Sequence, residues 1–424
     1  MSNISPRKLA VTALCKVDDE KAYSNITLNA FFKDYALSSE DKALVTAIFY
    51  GTLDRKITLD FILSRFVKSG LKKLKPFTLN LLRASLYQIM YMDRIPDSAA
   101  VNEAVKVIKS SKESYNASFV NGVLRNILRS DLTLPQDNVV ESLSVRYSCP
   151  EWIINLLLES YDADCTESFL KDTLLTPLTY LRVNTHKVTK NELISVLTAE
   201  GVTVTDTDTE NALIISNYSA LSELESFKEG LFHIQDIACQ KAVQMLKIGD
   251  GDRVLDICSA PGGKAFTANT LGKSLTIVAC DISKNRVELI KKGAKRLGFE
   301  NITALTLDAT NYSESLGLFD RVICDVPCSG LGVLRRKPEI KYKSQDDFSE
   351  LISTQYSILT TASKYLKAGG TLLYSTCTIN KKENEENVSR FLTENSDFEL
   401  LEMKTFMPET DFSDGFFAAV FIKK

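Results

Sequence analysis

Two cysteines and four aspartates hold most of the chemistry this sequence offers. Cys377 lies in LLYSTCT, just past an apolar, strand-like run, and Cys328 lies in DVPCSGLG, a Pro- and Gly-rich loop after the preceding run. Asp256, Asp281, Asp308 and Asp325 close four successive runs of the same kind. A cysteine acts as a nucleophile through its thiolate, once cations or a helix N-terminus lower its pKa from ~8.5. One reaction that a thiolate eases is alkylation of carbon 5 of cytosine, a poor nucleophile. Addition of the thiolate to carbon 6 turns the ring into an enamine, and carbon 5 can then attack an electrophilic methyl group. Loss of the carbon 5 proton afterwards lets the thiol leave. This chemistry requires a cysteine, an acid near ring nitrogen 3 and a methyl donor. An isolated cysteine is ordinarily a small core residue. Two on loops at one sheet edge, one of them beside Asp325 and Pro327, are not what packing alone requires. Cys258, Cys280 and Cys324 sit within or beside strands and are assigned to packing. Lys264, Arg335, Arg336 and Lys337 are candidate cations for a thiolate. These residues alone do not say which cysteine attacks.

The methyl donor has a candidate seat. In an open α/β sheet, ligands lie at the carboxyl ends of the strands. The first run ends in DICSAPGGK, residues 256–264. Gly262 and Gly263 allow a tight turn and a close backbone approach, and the helix that follows offers its N-terminal amides. The motif is not a phosphate-binding P-loop, because Cys258 stands where a glycine is needed and Ala265 where Ser or Thr is needed. It is not GxGxxG either. Asp281, 19 residues after Gly262, is placed to accept the hydroxyls of a ribose. Asp308 is placed to meet an adenine amino group. A single strand-end aspartate is more often a cap or turn former. Four in succession point to a nucleoside-bearing cofactor.

These residues need a sheet to position them. From about Gly230 the runs RVLDIC, LTIVACD, ITALTLD, RVICDV and GTLLYST alternate with helical stretches such as KNRVELIKKGAKRLG. That pattern predicts a mostly parallel, doubly wound α/β sheet. Before it, TYLRVN, VTVTD and NALIIS read as short strands and TKNELISVLTAEG as a helix closed by Gly201, a small α+β unit. Residues 131–150 read as a connector, followed by a short helix from Glu151. The first ~130 residues read as a helical bundle. Apolar residues recur at helical spacing at Leu9, Ala13, Leu14 and Val17, at Leu44, Ala47 and Ile48, and at Leu79, Leu82, Leu86 and Ile89. Ser38 with Asp41 caps one helix and Pro96–Asp97 opens another. The expected domains are 1–130, 131–175 (linker helices), 176–235 and 236–424.

Composition narrows the classes. The chain has 424 residues, 44% hydrophobic and 25% charged, and no apolar run approaches the ~20 residues that span a bilayer. The N-terminus lacks the apolar core of a secretory signal, so a cytoplasmic location is expected. Nine scattered cysteines do not form a disulfide framework. With C-x3-C as the closest pair and only two histidines, no metal is expected. The net charge of −3 conceals an asymmetry: residues 1–140 carry +6 and the remainder −9. A basic segment thus precedes an acidic body, which alone does not establish nucleic-acid binding.

With these motifs in view, the chain resembles, over nearly its whole length, the Fmu/Sun family of bacterial ribosomal RNA cytosine-C5 methyltransferases, the RsmB type. Residues 47–55 and FVNGVLRNILR at 119–129 resemble its NusB-like helical domain. YSCPEWI at 147–153 and LRVN at 181–184 resemble its linker and small RNA-binding subdomain. HIQDIACQ at 233–240 resembles the segment leading into the catalytic domain, with Cys239 where the family usually has Ser. DICSAPGGK, DVPCSGLGVLRRKPEIK and YSTCT are the most specific matches. The resemblance implies a multidomain fold: an all-α NusB-like bundle, a small α+β RNA-binding subdomain and a Rossmann-like class I α/β methyltransferase domain. It implies that Cys258, Ser259, Ala260, Pro261, Gly262, Gly263 and Lys264, with Asp281, Asp308 and Asp325, hold S-adenosyl-L-methionine. Asp325 would also hydrogen-bond the target cytosine. Cys377 would be the nucleophile, and Cys328 would assist breakdown of the adduct and release. The assignment of Cys377 over Cys328 rests on the resemblance. The implied partner is small-subunit ribosomal RNA, bound by a monomer with neither membrane nor metal. Arg335, Arg336 and Lys337 would contact phosphates near the target. Two rival readings are the same chemistry on tRNA, and a non-catalytic assembly factor that keeps the fold. Cofactor binding together with a methyl-transfer assay separates the latter from an enzyme. An amine methyltransferase is disfavoured, because Asp-Val-Pro-Cys stands where such enzymes carry an Asn/Asp-Pro-Pro-Tyr/Phe loop.

Overall fold

The computed structural model describes residues 4–20, 24–35, 37–218 and 220–424. Two compact units divide the chain: Met1–Leu175 with Leu334–Lys343, and Thr176–Val333 with Ser344–Lys424.

The first unit is helical. Its elements are α1 (Pro6–Glu20), α2 (Ser24–Asp34), α3 (Ser39–Asp54), α4 (Lys56–Phe66), α5 (Pro76–Tyr91), α6 (Asp97–Lys109), α7 (Ala117–Ile127), α8 (Val139–Tyr147), α9 (Glu151–Ser160) and α10 (Ala163–Asp172). Ser38 caps α3 by accepting from the Asp41 amide, as its position predicts, and Pro96 precedes α6. The apolar stripe of α1 is buried as its spacing predicts. In α3 Ile48 is buried and Leu44 packs against the core as their spacing predicts, but Ala47 faces solvent, and Val45, Phe49 and Leu53 complete the buried face. The four-residue spacing fitted both faces, and packing chose the larger side chains. Helix α5 is buried nearly all round, including Asn80, Arg83 and Gln88. Arg83 tolerates burial because Asp60 takes its guanidinium through two bonds, at 2.6 and 2.7 Å. The expected connector over 131–150 contains α8, started by Asn138, whose side chain accepts from the Glu141 amide. Two prolines and a polar middle obscured that helix.

Residues Leu334–Lys343 complete this unit from far along the chain. Ile340 and Lys341 are buried, and the Tyr342 hydroxyl donates to the Leu53 carbonyl at 2.5 Å. The Lys56 ammonium sits 4.9 Å from the Tyr342 ring centre. Burial pushes the nearby Asp54 carboxyl up to about 6, although Lys341 and Arg55 oppose the shift.

The second unit begins with β1 (Thr179–Val183), α11 (Lys190–Ala199), β2 (Thr203–Asp206), β3 (Ala212–Ser216), α12 (Glu225–Lys228) and β4 (Phe232–Ile234). The strands form an antiparallel sheet of order β2-β3-β1-β4. A capping box between Thr189 and Glu192 starts α11. The three-residue β4 was too short to read as a strand.

There follow α13 (Ile237–Gln244), β5 (Arg253–Asp256), α14 (Gly263–Asn269), β6 (Thr276–Asp281), α15 (Lys284–Leu297), β7 (Ile302–Thr306), β8 (Phe319–Asp325), α16 (Leu351–Lys364), β9 (Leu366–Thr376), α17 (Glu385–Glu394), β10 (Phe398–Phe406), α18 (Pro408–Asp411) and β11 (Phe416–Lys423). The sheet order is β10-β11-β9-β8-β5-β6-β7. The five strands predicted from the sequence are parallel, and β10 and β11 join antiparallel at one edge. Alternate residues feed two cores. Val254, Ala279, Ile323 and Leu373 pack on one face, and Leu255, Cys280, Cys324 and Tyr374 on the other. With both faces covered, the strands are continuously apolar, which is why their runs stand out in the sequence.

Behind the Cys328 loop two backbones touch. The Gly415 amide donates to the Gly332 carbonyl at 2.9 Å, and the Gly332 amide to the Cys377 carbonyl at 3.1 Å. A Cβ on Gly332 would overlap the Gly415 carbonyl. Gly332→Ala should therefore cost about 2 kcal/mol or more, lowering the urea midpoint. Gly122→Ala, in α7 with open space around it, should be neutral or stabilising by up to about 1 kcal/mol. Equal midpoints for the two variants would refute the packing reason for Gly332.

Candidate active site

Parallel pairing of β8 with β9 places Asp325 opposite Ser375. The chain leaves β8 through Val326, Pro327 and Cys328, and leaves β9 at Cys377, so the two cysteine loops start side by side. Cys328 Sγ and Cys377 Sγ lie 3.0 Å apart, neither is in a disulfide, and both are partly exposed. The Cys377 amide also points at Cys328 Sγ, at 3.3 Å. Contact with Cys377, then burial, then the carboxylates of Glu383 and Asp325 hold the Cys328 thiol well above the ordinary range.

Asp325 is braced on both oxygens. Oδ1 accepts from the Ser375 hydroxyl at 2.8 Å, and Oδ2 pairs with Lys264 Nζ at 2.7 Å. Lys264 is buried, 3.9 Å from Cys239 Sγ and 5.0 Å from the Phe416 ring centre. Desolvation disfavours its charge, but Asp325, with Cys239 and Asp256, outweighs that and raises its pKa. Lys264 thus serves Asp325 before any thiolate. The Cys239 thiol is pushed up to about 12 by burial.

Asp256 differs from the other strand-end aspartates, for it lies wholly inside. Neither carboxylate oxygen has a hydrogen bond of good geometry. Burial pushes it up to about 7, although Ser259, Lys264 and the Ala265 amide pull the other way.

The glycine turn is tightly determined. Gly262, at φ +109°, precedes α14, and a Cβ there would strike the Phe266 ring. The Gly262 amide donates to the Ser259 carbonyl at 2.7 Å, and the Ser259 amide to the Cys280 carbonyl at 2.7 Å. Arg286 ties this turn to the next strand end, donating to the Ala260 carbonyl at 2.6 Å and pairing with Asp281 at 3.2 Å. Asp281 also accepts from the Ser283 amide at 3.0 Å. Asp308 lies two residues beyond β7 and holds its own turn by accepting from the Thr310 hydroxyl and backbone amide and from Asn311 Nδ2, which lowers its pKa. Both aspartates thus have the local structural role that strand-end aspartates often have. Cys280 and Cys324 are buried, and burial raises both thiols; Cys258 is raised in the same way. Pro261 is exposed, and Ile282, beside Asp281, is 66% exposed. An exposed apolar side chain next to acceptor carboxylates suits an adenosine. These residues fit a nucleoside cofactor.

The structure thus joins Cys328 with Cys377 and Asp325 with Lys264, and ties Ala260 to Asp281. Arg335, Arg336 and Lys337 belong to the segment that completes the helical unit; only Lys337 is fully exposed. Reading the sequence missed Ser375, Arg286, Ile282 and Glu383. Ser375 sits inside YSTCT, where β9–β8 register was the available clue. Glu383 sits in KKENEEN, which reads as a solvated charge run, yet it is 1% exposed. Among the described residues no cluster of three or more His, Cys, Asp or Glu is arranged to hold a metal. Nor, among them, is any helix long and apolar enough to cross a membrane.

Comparison with known proteins matches three segments. Residues 243–422 match the family described as 16S rRNA methyltransferase RsmB/F, residues 4–129 the NusB family, and residues 149–221 a ferredoxin-like domain of RsmF/B-like methyltransferases. The chain is 38% identical over 407 residues to a probable ribosomal RNA small subunit methyltransferase B of Bacillus subtilis, covering 94% of this chain and 90% of that one. It is 30% identical over 432 residues to the ribosomal RNA small subunit methyltransferase B of Proteus mirabilis, covering 99% and 98%. Among solved structures, PH0851 superposes with a TM-score of 0.83 at 26% identity over 100% of both chains. NSun6 from Pyrococcus horikoshii shares the fold, with a TM-score of 0.59 at 21% identity over 65% of this chain and 98% of that one.

The buried Asp256 gives a pH signature. Its folded pKa of about 7 exceeds the ordinary 3.8, so between those values the folded state binds more protons than the unfolded one. The stability that protonated Asp256 contributes is complete below about pH 4 and lost as pH rises through about 7. Asp256→Asn should remove that loss. Thermal unfolding from about pH 5 to 8 should show a smaller fall in Tm for the variant than for the wild type. Parallel Tm curves would contradict the assignment.

Proposed function

The chain belongs to the 16S rRNA methyltransferase RsmB/F family and is an S-adenosylmethionine-dependent rRNA methyltransferase; on that premise we propose that it methylates carbon 5 of a cytosine in small-subunit rRNA, with Cys377 as nucleophile. The observation that carries this reading is the pair of thiols, 3.0 Å apart and not joined in a disulfide, on adjacent strand-end loops next to the Asp325–Lys264 pair. A single cysteine would suffice for packing, and an amine methyltransferase has no use for two.

Residues 258–264 with Asp281, Asp308 and Asp325 would hold the cofactor, and Ile282 would pack against its base. Bound there, S-adenosylmethionine supplies an electrophilic methyl group. Cys377, as thiolate, adds to carbon 6, and the ring electrons shift onto nitrogen 3, which takes a proton from solvent, while Asp325 would accept a hydrogen bond from the exocyclic amine of the base. Each Asp325 oxygen keeps a lone pair beyond its bond to Ser375 or Lys264, and Lys264 holds the carboxylate in place. Once carbon 5 bears its methyl group, a base takes the carbon 5 proton. The double bond then re-forms and the sulfur–carbon 6 bond breaks, returning Cys377 as thiolate. Solvent serves as the base that takes the carbon 5 proton, and Cys328, held in its thiol form by its contact with Cys377, by burial and by nearby carboxylates, would assist the breakdown by donating a hydrogen bond to the departing Cys377 sulfur.

A paired cytosine cannot reach a thiol, so the target must be unpaired or flipped out. The helical unit and the small four-stranded sheet would hold RNA by backbone and shape, consistent with the +6 charge of residues 1–140.

Cys377→Ala should abolish both methyl transfer to small-subunit rRNA and the covalent protein–RNA complex on denaturing gels. Cys328→Ala should accumulate that complex while turnover falls. Bisulfite sequencing of the treated RNA identifies the product atom. Wild-type turnover by Cys377→Ala, or a product other than 5-methylcytosine, would overturn the reading.

A further inference from the structure

Glu383 is a buried carboxylate that the cycle above leaves without a task. Its Oε1 accepts from the Ser329 hydroxyl at 2.5 Å and from Asn380 Nδ2 at 3.0 Å. Its Oε2 accepts from the Ser329 amide at 2.9 Å and from Gln355 Nε2 at 2.8 Å. Four donors fill the roughly four lone-pair sites of a carboxylate. They come from three places: the loop after β8, helix α16, and the loop after β9.

The two cysteines lie within this web. Gln355 Nε2 also donates to the Pro327 carbonyl at 3.0 Å, so the residues on either side of Cys328 are both tied to Glu383. The Ser329 hydroxyl meets the Thr378 hydroxyl at 2.9 Å, next to Cys377. The Tyr374 hydroxyl donates to the Glu383 carbonyl at 2.6 Å, fixing its backbone to β9. All four donors to the carboxylate are neutral, and desolvating a charge to meet neutral donors is an expensive way to join two loops. A neutral amide or an apolar contact would do for stability alone.

We infer that Glu383 is a positioning residue that sets the Cys328 loop against the Cys377 loop, so that Cys328 stays in register to resolve the covalent adduct; the inference rests on the two-cysteine reading above. Its charge acts in the same sense as its geometry, because it opposes ionisation of Cys328 and keeps a proton on that thiol.

The test uses the full-length chain, a small-subunit rRNA transcript and labelled S-adenosylmethionine. Glu383→Gln keeps the shape but sets an amide against one of the donors. It should leave cofactor affinity by calorimetry and KM for RNA within about twofold, and lower kcat by about tenfold or more. The covalent protein–RNA complex should persist on denaturing gels, as with Cys328→Ala. Glu383→Asp, which keeps the charge, should recover part of kcat. Ser329→Ala and Gln355→Leu remove single donors and should give the same pattern more weakly; they decide the matter if Glu383→Gln does not fold. A folded Glu383→Gln with wild-type kcat, or with low kcat and no persisting complex, would overturn the inference. Cys377→Ala assayed in parallel separates the two claims: if it still turns over, the two-cysteine reading fails, and if it is inert while Glu383→Gln is normal, only the role of Glu383 fails.

Discussion

The site depends on the parallel pairing of β8 with β9. A parallel pair sends both carboxyl ends to the same edge, and the register that sets Asp325 against Ser375 makes the loops leave at equal height. Pro327, which has no amide hydrogen to give a ladder, ends β8 at that point. The Gly332–Gly415 contact then closes the loop from behind, joined to Cys377 through its carbonyl. Two sulfur atoms separated by 49 residues of sequence thus meet without any long side chain having to reach for them. A one-residue slip of β9 would turn Ser375 to the other face and dismantle the arrangement.

Several buried charges gather around this edge, and they play different parts. Lys264 and Asp325 form a short pair whose desolvation is offset by each other and by Ser375. At Asp256 burial outweighs the compensation from Ser259, Lys264 and the Ala265 amide, and the carboxyl moves toward neutrality instead. Glu383 is compensated by hydrogen bonds alone. The aspartates on the cofactor side are tied to their own turns, which holds their carboxylates still before any ligand arrives. Such preorganisation is what a site needs when charge shifts within a bound ring.

Much of this was legible in the sequence, and the reasons are physical. Strands buried on both faces are continuous apolar runs, so β5, β6, β8 and β9 were visible, and with them the residues at their ends. β10 was hidden because it is an edge strand whose middle is exposed and mixes charged Glu399, Glu402 and Lys404 with apolar residues, without a clean alternation. β11 is an apolar run, FFAAVFIK, that carries no motif residue. Cys328 and Cys377 were legible as members of two loops, but their meeting depended on register, which no local pattern encodes. Glu383 was illegible for a simpler reason. In KKENEEN every residue looks solvated, and only the tertiary fold decides which glutamate turns inward.

The contribution of residues Leu334–Lys343 to the helical unit bears on how the protein is made. That unit is discontinuous in the chain, and its final piece lies more than 150 residues after α10. The bundle cannot seat Ile340, Lys341 and Tyr342 until most of the sheet unit has been synthesised. Domains ordinarily fold in turn as they emerge from the ribosome. Here the first-made unit must wait, incomplete, for a segment that emerges only after β8, so its completion is bound to the appearance of the Cys328 loop. A fragment ending at residue 175 would lack this piece, and its Leu53 carbonyl would lose the hydroxyl that satisfies it.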